Sequence, residues 1–275
     1  MLILSLDTTT KAASCAVARD GVVVNEEPIE PPRQLALQLP GALRDILDLS
    51  AIALEEVDAF AVATGPGSFT GLRIGIATMQ GLAFGKHKPL IGISGLTALR
   101  AVASPAFLGS RIATWVDAWR GDVYAALFED GHQVGEPVVA TPVDLLDAML
   151  AGSRIPDPGS RADAGLMAND ITFIGDGAAT YRDLIVSRLG HAARIADPVA
   201  PLLAGVIAVL ASIDYTKGHR PPPHAIRPLY VRRPDAELAR VRAVGRLKPA
   251  PTNSGAASST NETRIPDPGS RIPDV

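Results

Sequence analysis

Residues 61–85 read AVATGPGSFTGLRIGIATMQGLAFG. Ala61, Val62 and Ala63 close an apolar run that begins after Asp58, which reads as a buried strand. Gly65, Pro66 and Gly67 then break it, because Gly supplies positive φ and Pro fixes φ in a tight turn. Ser68 and Thr70 are both good N-cap residues for a following helix. Leu72, Ile76, Met79 and Ala83 fall on one stripe, so the spacing predicts a helix. Gly71, Gly75 and Thr78 make a second stripe of small residues, against which another backbone could lie closely. Arg73 is the only charged residue from Thr70 to Gly85. A helix apolar on most faces must be covered all round, by its own domain or by a partner. The glycine-rich turn has two readings. It could cradle an anion at a helix N-terminus, or it could be a plain strand-to-helix turn. The chain has neither GxGxxG nor the Lys-Ser/Thr of a phosphate-binding loop here, so this helix points to contact more than to chemistry.

Working outward, Leu2–Leu6 is a short apolar run that ends in Asp7-Thr8-Thr9-Thr10. Ala13–Arg19 and Val22–Glu27 flank Asp20-Gly21, a hairpin signal. A strand, an acidic turn and a hairpin resemble the opening of the actin-like/Hsp70-like ATPase fold. In that fold the acidic residue and the hydroxyls lie near nucleotide phosphates and their metal, which implies such a place for Asp7, Thr8, Thr9 and Thr10. A strand end capped by its own hydroxyls accounts for the same residues. Leu39, Leu43, Ile46 and Leu47 have helical spacing, so Pro40–Leu49 is an amphipathic helix with Pro40 in its first turn.

After the central helix come a strand over Pro89–Ile93 and a helix over Leu96–Val102, with a lobe boundary at Ser104-Pro105. The second half repeats the opening logic: strand Ile112–Val116, the turn Asp117-Ala118-Trp119-Arg120-Gly121-Asp122, strand Val123–Phe128 and Asp130-Gly131. Asp117 and Asp122 could serve acid/base or metal chemistry, or could simply sit at an exposed hairpin tip. A helix starts at Thr141-Pro142. RIPDPGSR stands at residues 154–161 and again at 264–271, too far apart for a solenoid period. Residues 152–169 therefore read as an inserted surface loop. Ile171–Ile174 leads into Gly175-Asp176-Gly177, similar to the turn that approaches adenosine in actin-like ATPases. Tyr181–Leu189 and Leu202–Ile213 read as helices. Residues 235–246 read as a short basic helix, and 248–275, rich in Pro, Ser, Thr and Gly, as a disordered tail.

Composition narrows the classes. The 275 residues are 47% apolar, with net charge −3, 4% aromatic residues and one cysteine, Cys15. That excludes an internal disulfide and gives no nucleic-acid signature. The N-terminus lacks the pattern of a signal peptide, and the longest apolar run is too short to span a membrane. A soluble cytoplasmic protein is expected.

GPGSFTGLRIGIA at 65–77, with LSLDTTT at 4–10, strongly resembles the TsaB (YeaZ) family. These are bacterial accessory subunits in making threonylcarbamoyladenosine on tRNA. DAWRGDVY at 117–124 matches the family's DARRGEVY-like hairpin, and PLYVRR at 228–233 its closing PLYLR motif. The likeness runs to about Pro234 apart from the insertion. Leu35-Ala36 stands where the family usually has His-Ser.

The resemblance implies an α/β, two-lobed actin-like fold: residues 1–104 as one lobe, 105–234 as the other, and 235–275 as an appended segment. It implies a non-catalytic subunit that pairs with a catalytic paralogue, TsaD, which modifies adenosine 37 of tRNAs reading ANN codons. A TsaE-like ATPase joins them, tRNA is met through the complex, and a homodimer can use the same surface. That surface is expected at Leu39, Leu43, Ile46, Leu47, Phe69, Gly71, Leu72, Gly75, Ile76, Thr78 and Met79. No cofactor is required, and a weak ATP or ADP site with Mg²⁺ would fall at Asp7, Thr8, Thr9, Thr10, Gly175 and Gly177. The alternative is an ATP-dependent enzyme of the same fold, either a phosphotransferase or a metal-dependent peptidase. Against it, the five histidines show no i, i+4 pair and no HExxH. The paired-His metal site of the catalytic paralogue is missing. An RNA-binding module is a third reading, weakened by the acidic balance.

Overall fold

Asp20-Gly21 and Asp130-Gly131 both hold positive φ at two successive residues, the condition for a two-residue hairpin turn that follows the strands' own twist. Each forms the outer hairpin of one sheet in the computed structural model, which describes residues 1–30, 34–103, 111–151 and 171–231. The lobe boundary expected at 104–105, the loop at 152–169, both RIPDPGSR copies, the basic helix and the tail lie outside the described residues.

The first sheet contains β1 (Leu2–Asp7), β2 (Ser14–Arg19), β3 (Val22–Pro28), β4 (Ala59–Ala63) and β5 (Leu90–Ile93). Their order is β3-β2-β1-β4-β5. The hairpin side is antiparallel, and β1, β4 and β5 run parallel. The second sheet contains β6 (Arg111–Asp117), β7 (Val123–Glu129), β8 (His132–Ala140), β9 (Ile171–Ile174) and β10 (Ala193–Ile195). Its order, β10-β9-β6-β7-β8, reproduces the first with the same mixture of directions. One plan is therefore used twice, as the repeated strand, acidic turn and hairpin predict.

Helices cover both faces of the sheets, so the parallel strands are buried on two sides and read as apolar runs. In β1, Leu2, Leu4 and Leu6 alternate with Ile3 and Ser5, because successive side chains point to opposite faces. The leucines meet α1 (Leu35–Leu49) and α2 (Phe69–Gly85) in one core. Ile3 and Ser5 face α3 (Gly95–Ala103) and α7 (Ala204–Thr216), which fill the space toward Ile112, Val116 and Phe128 of the second sheet. Outside the second sheet, α4 (Pro142–Leu150) and α6 (Arg182–Leu189) pack over Trp115, Leu127 and Phe173. Helix α1 begins five residues earlier than expected, at Leu35, and contains Pro40.

One assignment needs correction. The sequence reading gives all of 105–234 to the second lobe, yet α7 lies on the first sheet. Ser5 Oγ donates to the Ala204 carbonyl at 2.6 Å, and the amides of Ala204 and Gly205 donate to Ser14 Oγ and Glu26 Oε1. These partners satisfy amides at a helix start that have none inside the helix. Farther on, Leu229 N donates to the Thr64 carbonyl at 2.8 Å. The chain thus returns to the lobe where it began. Met1–Arg232 form one compact unit, and the second, Arg233–Val275, lies outside the described residues.

Candidate functional site

Asp7 ends β1 and is fully buried. Its Oδ1 accepts from the Thr9 amide at 2.8 Å and Thr9 Oγ1 at 2.6 Å, and its Oδ2 accepts from Thr10 Oγ1 at 2.8 Å. Burial pushes the Asp7 carboxyl above its ordinary range, the donors from Thr9 and Thr10 pull it back, and nearby Asp176 adds to the rise. Thr8 points the other way: its Oγ1 donates to the Gly71 carbonyl at 2.7 Å. The Gly65-Pro66-Gly67 turn packs beneath this loop, with the Ser68 amide donating to the Thr9 carbonyl at 2.8 Å. The turn is thus a packed strand-to-helix connection. Ser68 is the N-cap of α2, its Oγ accepting from the Gly71 amide.

Across the cleft, α5 (Asp176–Thr180) follows β9. Gly175 and Gly177 lie so close to the β6 backbone that a Cβ on either would press on Trp115. Asp176 is 8% exposed. Its Oδ1 accepts from the Asp117 amide at 2.9 Å and its Oδ2 from the Lys11 amide at 3.1 Å. Lys11 Nζ lies 2.5 Å from Asp117 Oδ2 and donates to Thr180 Oγ1 at 3.3 Å. The Trp119 amide donates to Asp117 Oδ1. Burial raises the Asp176 carboxyl, opposed by the two amides and by the Lys11 charge, while the hydrogen bond to Asp117 raises Lys11.

An actin-like fold implies a nucleotide and its metal beside these residues, whose acidic groups already have partners within the chain. Asp7 is enclosed by its own threonines, Asp176 by two backbone amides, and Asp117 by an ammonium and an amide. Among the described residues no three His, Cys, Asp or Glu side chains are placed to hold a metal ion. Asp7, Thr8, Thr9 and Thr10, expected near phosphate, thus bond within their own loop and to Gly71, and Gly175 and Gly177, expected near adenosine, pack on the β6 backbone. Cys15 is buried, and burial together with Glu27, Glu26 and Asp45 pushes its thiol up to about 12, which removes it as a thiolate nucleophile at neutral pH.

The expected partner surface divides in two. Leu39, Leu43, Ile46, Leu47, Leu72, Ile76 and Met79 are buried in their own chain's core. Gly71 and Gly75 face inward as well: a Cβ on Gly71 would overlap the Thr8 carbonyl, and one on Gly75 would overlap Thr8 Oγ1. Seven of these nine are corrected to the supporting layer, while Leu43 and Leu47 also line the floor of the groove described next. Phe69 is 49% exposed and Thr78 half-buried. The exposed face of α2 carries Arg73, Ala77, Gly81 and Phe84. Between α1 and α2 runs a groove of about 590 Å³, floored by Leu4, Leu43 and Leu47, walled by Ala77, Thr78, Gly81 and Leu82, and edged by Arg44 and Asp48. At the start of α2 the Arg73 guanidinium stacks 4.0 Å from the Phe69 ring and donates to Tyr230 Oη at 3.3 Å.

Lys11, Asp176 and Tyr230 escaped the sequence reading as site residues. The one available signal was a basic residue directly after the first acidic turn, with a second acidic turn in the repeated half.

The doubled sheet order defines a two-lobed actin-like fold. The sequence matches the family described as "TsaD: tRNA N6-adenosine threonylcarbamoyltransferase" over residues 11–240. It is 30% identical to the tRNA threonylcarbamoyladenosine biosynthesis protein TsaB of Haemophilus influenzae, across 84% of this chain and 94% of that protein. It is 40% identical to the Escherichia coli protein of the same name over 143 residues, which cover 51% of this chain and 62% of that one, less than two thirds of its length. A solved structure from Pseudomonas aeruginosa, described as YeaZ, is 28% identical, with a TM-score of 0.64 over 83% of this chain and 99% of its own. This chain belongs to the TsaB family. No helix among the described residues is long and apolar enough to cross a membrane.

Proposed function

We propose that this chain is a non-catalytic subunit in the synthesis of threonylcarbamoyladenosine at position 37 of tRNAs reading ANN codons. The near full-length similarity to a TsaB protein carries this reading. The cleft supports it, since the acidic groups an enzyme of this fold would turn toward a substrate are occupied by the chain's own donors. On this reading the chain works in the cytoplasm and needs no cofactor of its own. It binds a TsaD-like catalytic paralogue, a TsaE-like ATPase joins the pair, and tRNA is reached through the assembly.

The partner seat is the groove between α1 and α2 with the outer face of α2. Its floor is apolar and its rim carries one charge of each sign, the usual anatomy of an interface with a dry centre and a polar edge. A second copy of this chain would occupy the same seat when the paralogue is absent. The test is reconstitution with tRNA and supplied threonylcarbamoyl-adenylate. The chain alone should give no modified adenosine, and the paralogue's activity should depend on adding it. Modification by the purified chain alone would overturn the reading.

A further inference from the structure

The two lobes are joined in two chemically different ways. Behind the cleft, α3 and α7 fuse the sheets through one apolar core. At the mouth, the loop after β1 meets the second lobe through hydrogen bonds and an ion pair. Asp176 spans the mouth with one carboxylate, one oxygen on the Lys11 amide of the first lobe and the other on the Asp117 amide of its own lobe. Lys11 returns the contact with its side chain, to Asp117 and Thr180. Asp176 lies in electrostatic reach of both Asp7 and Asp117, and the Lys11 ammonium in reach of Asp117 and Asp176. Asp117 and Asp176 are nearly buried while Lys11 is half-exposed, so the ion pair closes the mouth from the solvent side.

We propose that Lys11 and Asp176 form a latch that holds the lobes closed at the cleft mouth, with the Lys11 ammonium as the built-in counter-cation of the acidic cluster. The apolar joint behind it is the pivot and keeps the lobes together when the latch is released. The latch is separate from the partner seat, which lies on the far face of the first sheet.

Amide hydrogen exchange on the full chain tests this. Lys11→Met keeps the apolar stem and removes the charge, Lys11→Arg restores the charge, and Asp176→Asn weakens the bridge. Lys11→Met and Asp176→Asn should speed exchange at Lys11 and Asp117 about tenfold, which corresponds to ~1.4 kcal/mol. The interiors of β1 and β6 should keep their rates, and Lys11→Arg should exchange close to the original protein. Unchanged rates at the Lys11 and Asp117 amides in Lys11→Met, or a rise spread evenly over both sheets, would overturn the latch. Should Lys11→Met fail to fold, Asp176→Asn decides alone: unchanged rates at the Lys11 and Asp117 amides overturn the proposal.

Discussion

The inner and outer faces of α2 carry the same kind of residue for opposite reasons. Inside, Gly71 and Gly75 have no room for a Cβ, because the Thr8 backbone and hydroxyl fill the space. Outside, Gly81 and Gly85 face nothing within 4 Å of a built Cβ. The inner glycines let the helix come down on the acidic turn of β1, so that Thr8 can donate to the Gly71 carbonyl. The outer ones, with Ala77, leave a smooth surface beside the groove. A stripe of small residues in a helix is therefore no guide to an interface until one knows which face is already covered.

The harshest way to break this comparison is Gly75→Leu. On the inner face it forces a branched side chain against Thr8, and we expect a loss of about 3 kcal/mol or more, the upper end for overpacking. In thermal unfolding that is a fall of about 6–12 °C for a chain this size. A normal melting temperature with lost partner binding would reverse the assignment of the two faces. Next comes Gly71→Ala. A single methyl meets a backbone carbonyl that cannot rotate away, so a cost of about 1–3 kcal/mol is expected, large enough to outweigh the ~1 kcal/mol that alanine gains over glycine in a helix.

The outer face should respond the other way. Gly81→Arg is expected to leave the melting temperature unchanged or up to about 4 °C higher, since the site is open and arginine gains up to ~1 kcal/mol over glycine in a helix. Its bulk and charge should weaken binding of the catalytic paralogue by about tenfold, equal to ~1.4 kcal/mol, measured by calorimetry. Gly81→Ala, smaller still, should raise stability by up to about 1 kcal/mol through helix propensity alone, with binding unchanged.

The gentlest probe is Asp7→Asn, which acts on the turn that holds Thr8 against the inner face. The Asp7 carboxyl is raised in the fold by burial. Below its folded value it is protonated and burial costs little; above it, the buried charge opposes folding in full. Its contribution to stability therefore falls as pH climbs from the unfolded aspartate value through the folded one. The amide keeps an acceptor for Thr9 and does not titrate. Relative to the original protein, Asp7→Asn should gain stability as pH rises across that window, read from denaturant midpoints. A difference independent of pH would show that Asp7 does not titrate with a raised pKa.

Much of the architecture was legible because it rests on local chemistry. Asp20-Gly21 and Asp130-Gly131 announce hairpins, Ser68 and Thr141 cap their helices as expected, and the apolar run at 59–63 is a strand covered on both faces. The site was less legible. Asp7 and its threonines have the residue types of a phosphate loop, but where their oxygens point depends on Gly67, Gly71 and α2 arriving from sixty residues away. Nothing local marks Asp176 within its glycine turn, although its two oxygens span the lobes.

What the sequence determined by itself is the doubled plan, the covered central helix and the TsaB likeness, because hairpin turns, caps, periodicity and a run of thirteen residues are properties of neighbours along the chain. Only the tertiary structure decided which face of α2 is free, that α7 returns to the first sheet, and that Lys11 lies at Asp117. These depend on groups far apart in sequence competing for the same space and charge. A glycine's missing Cβ and an aspartate's second oxygen acquire meaning only from the atoms brought against them.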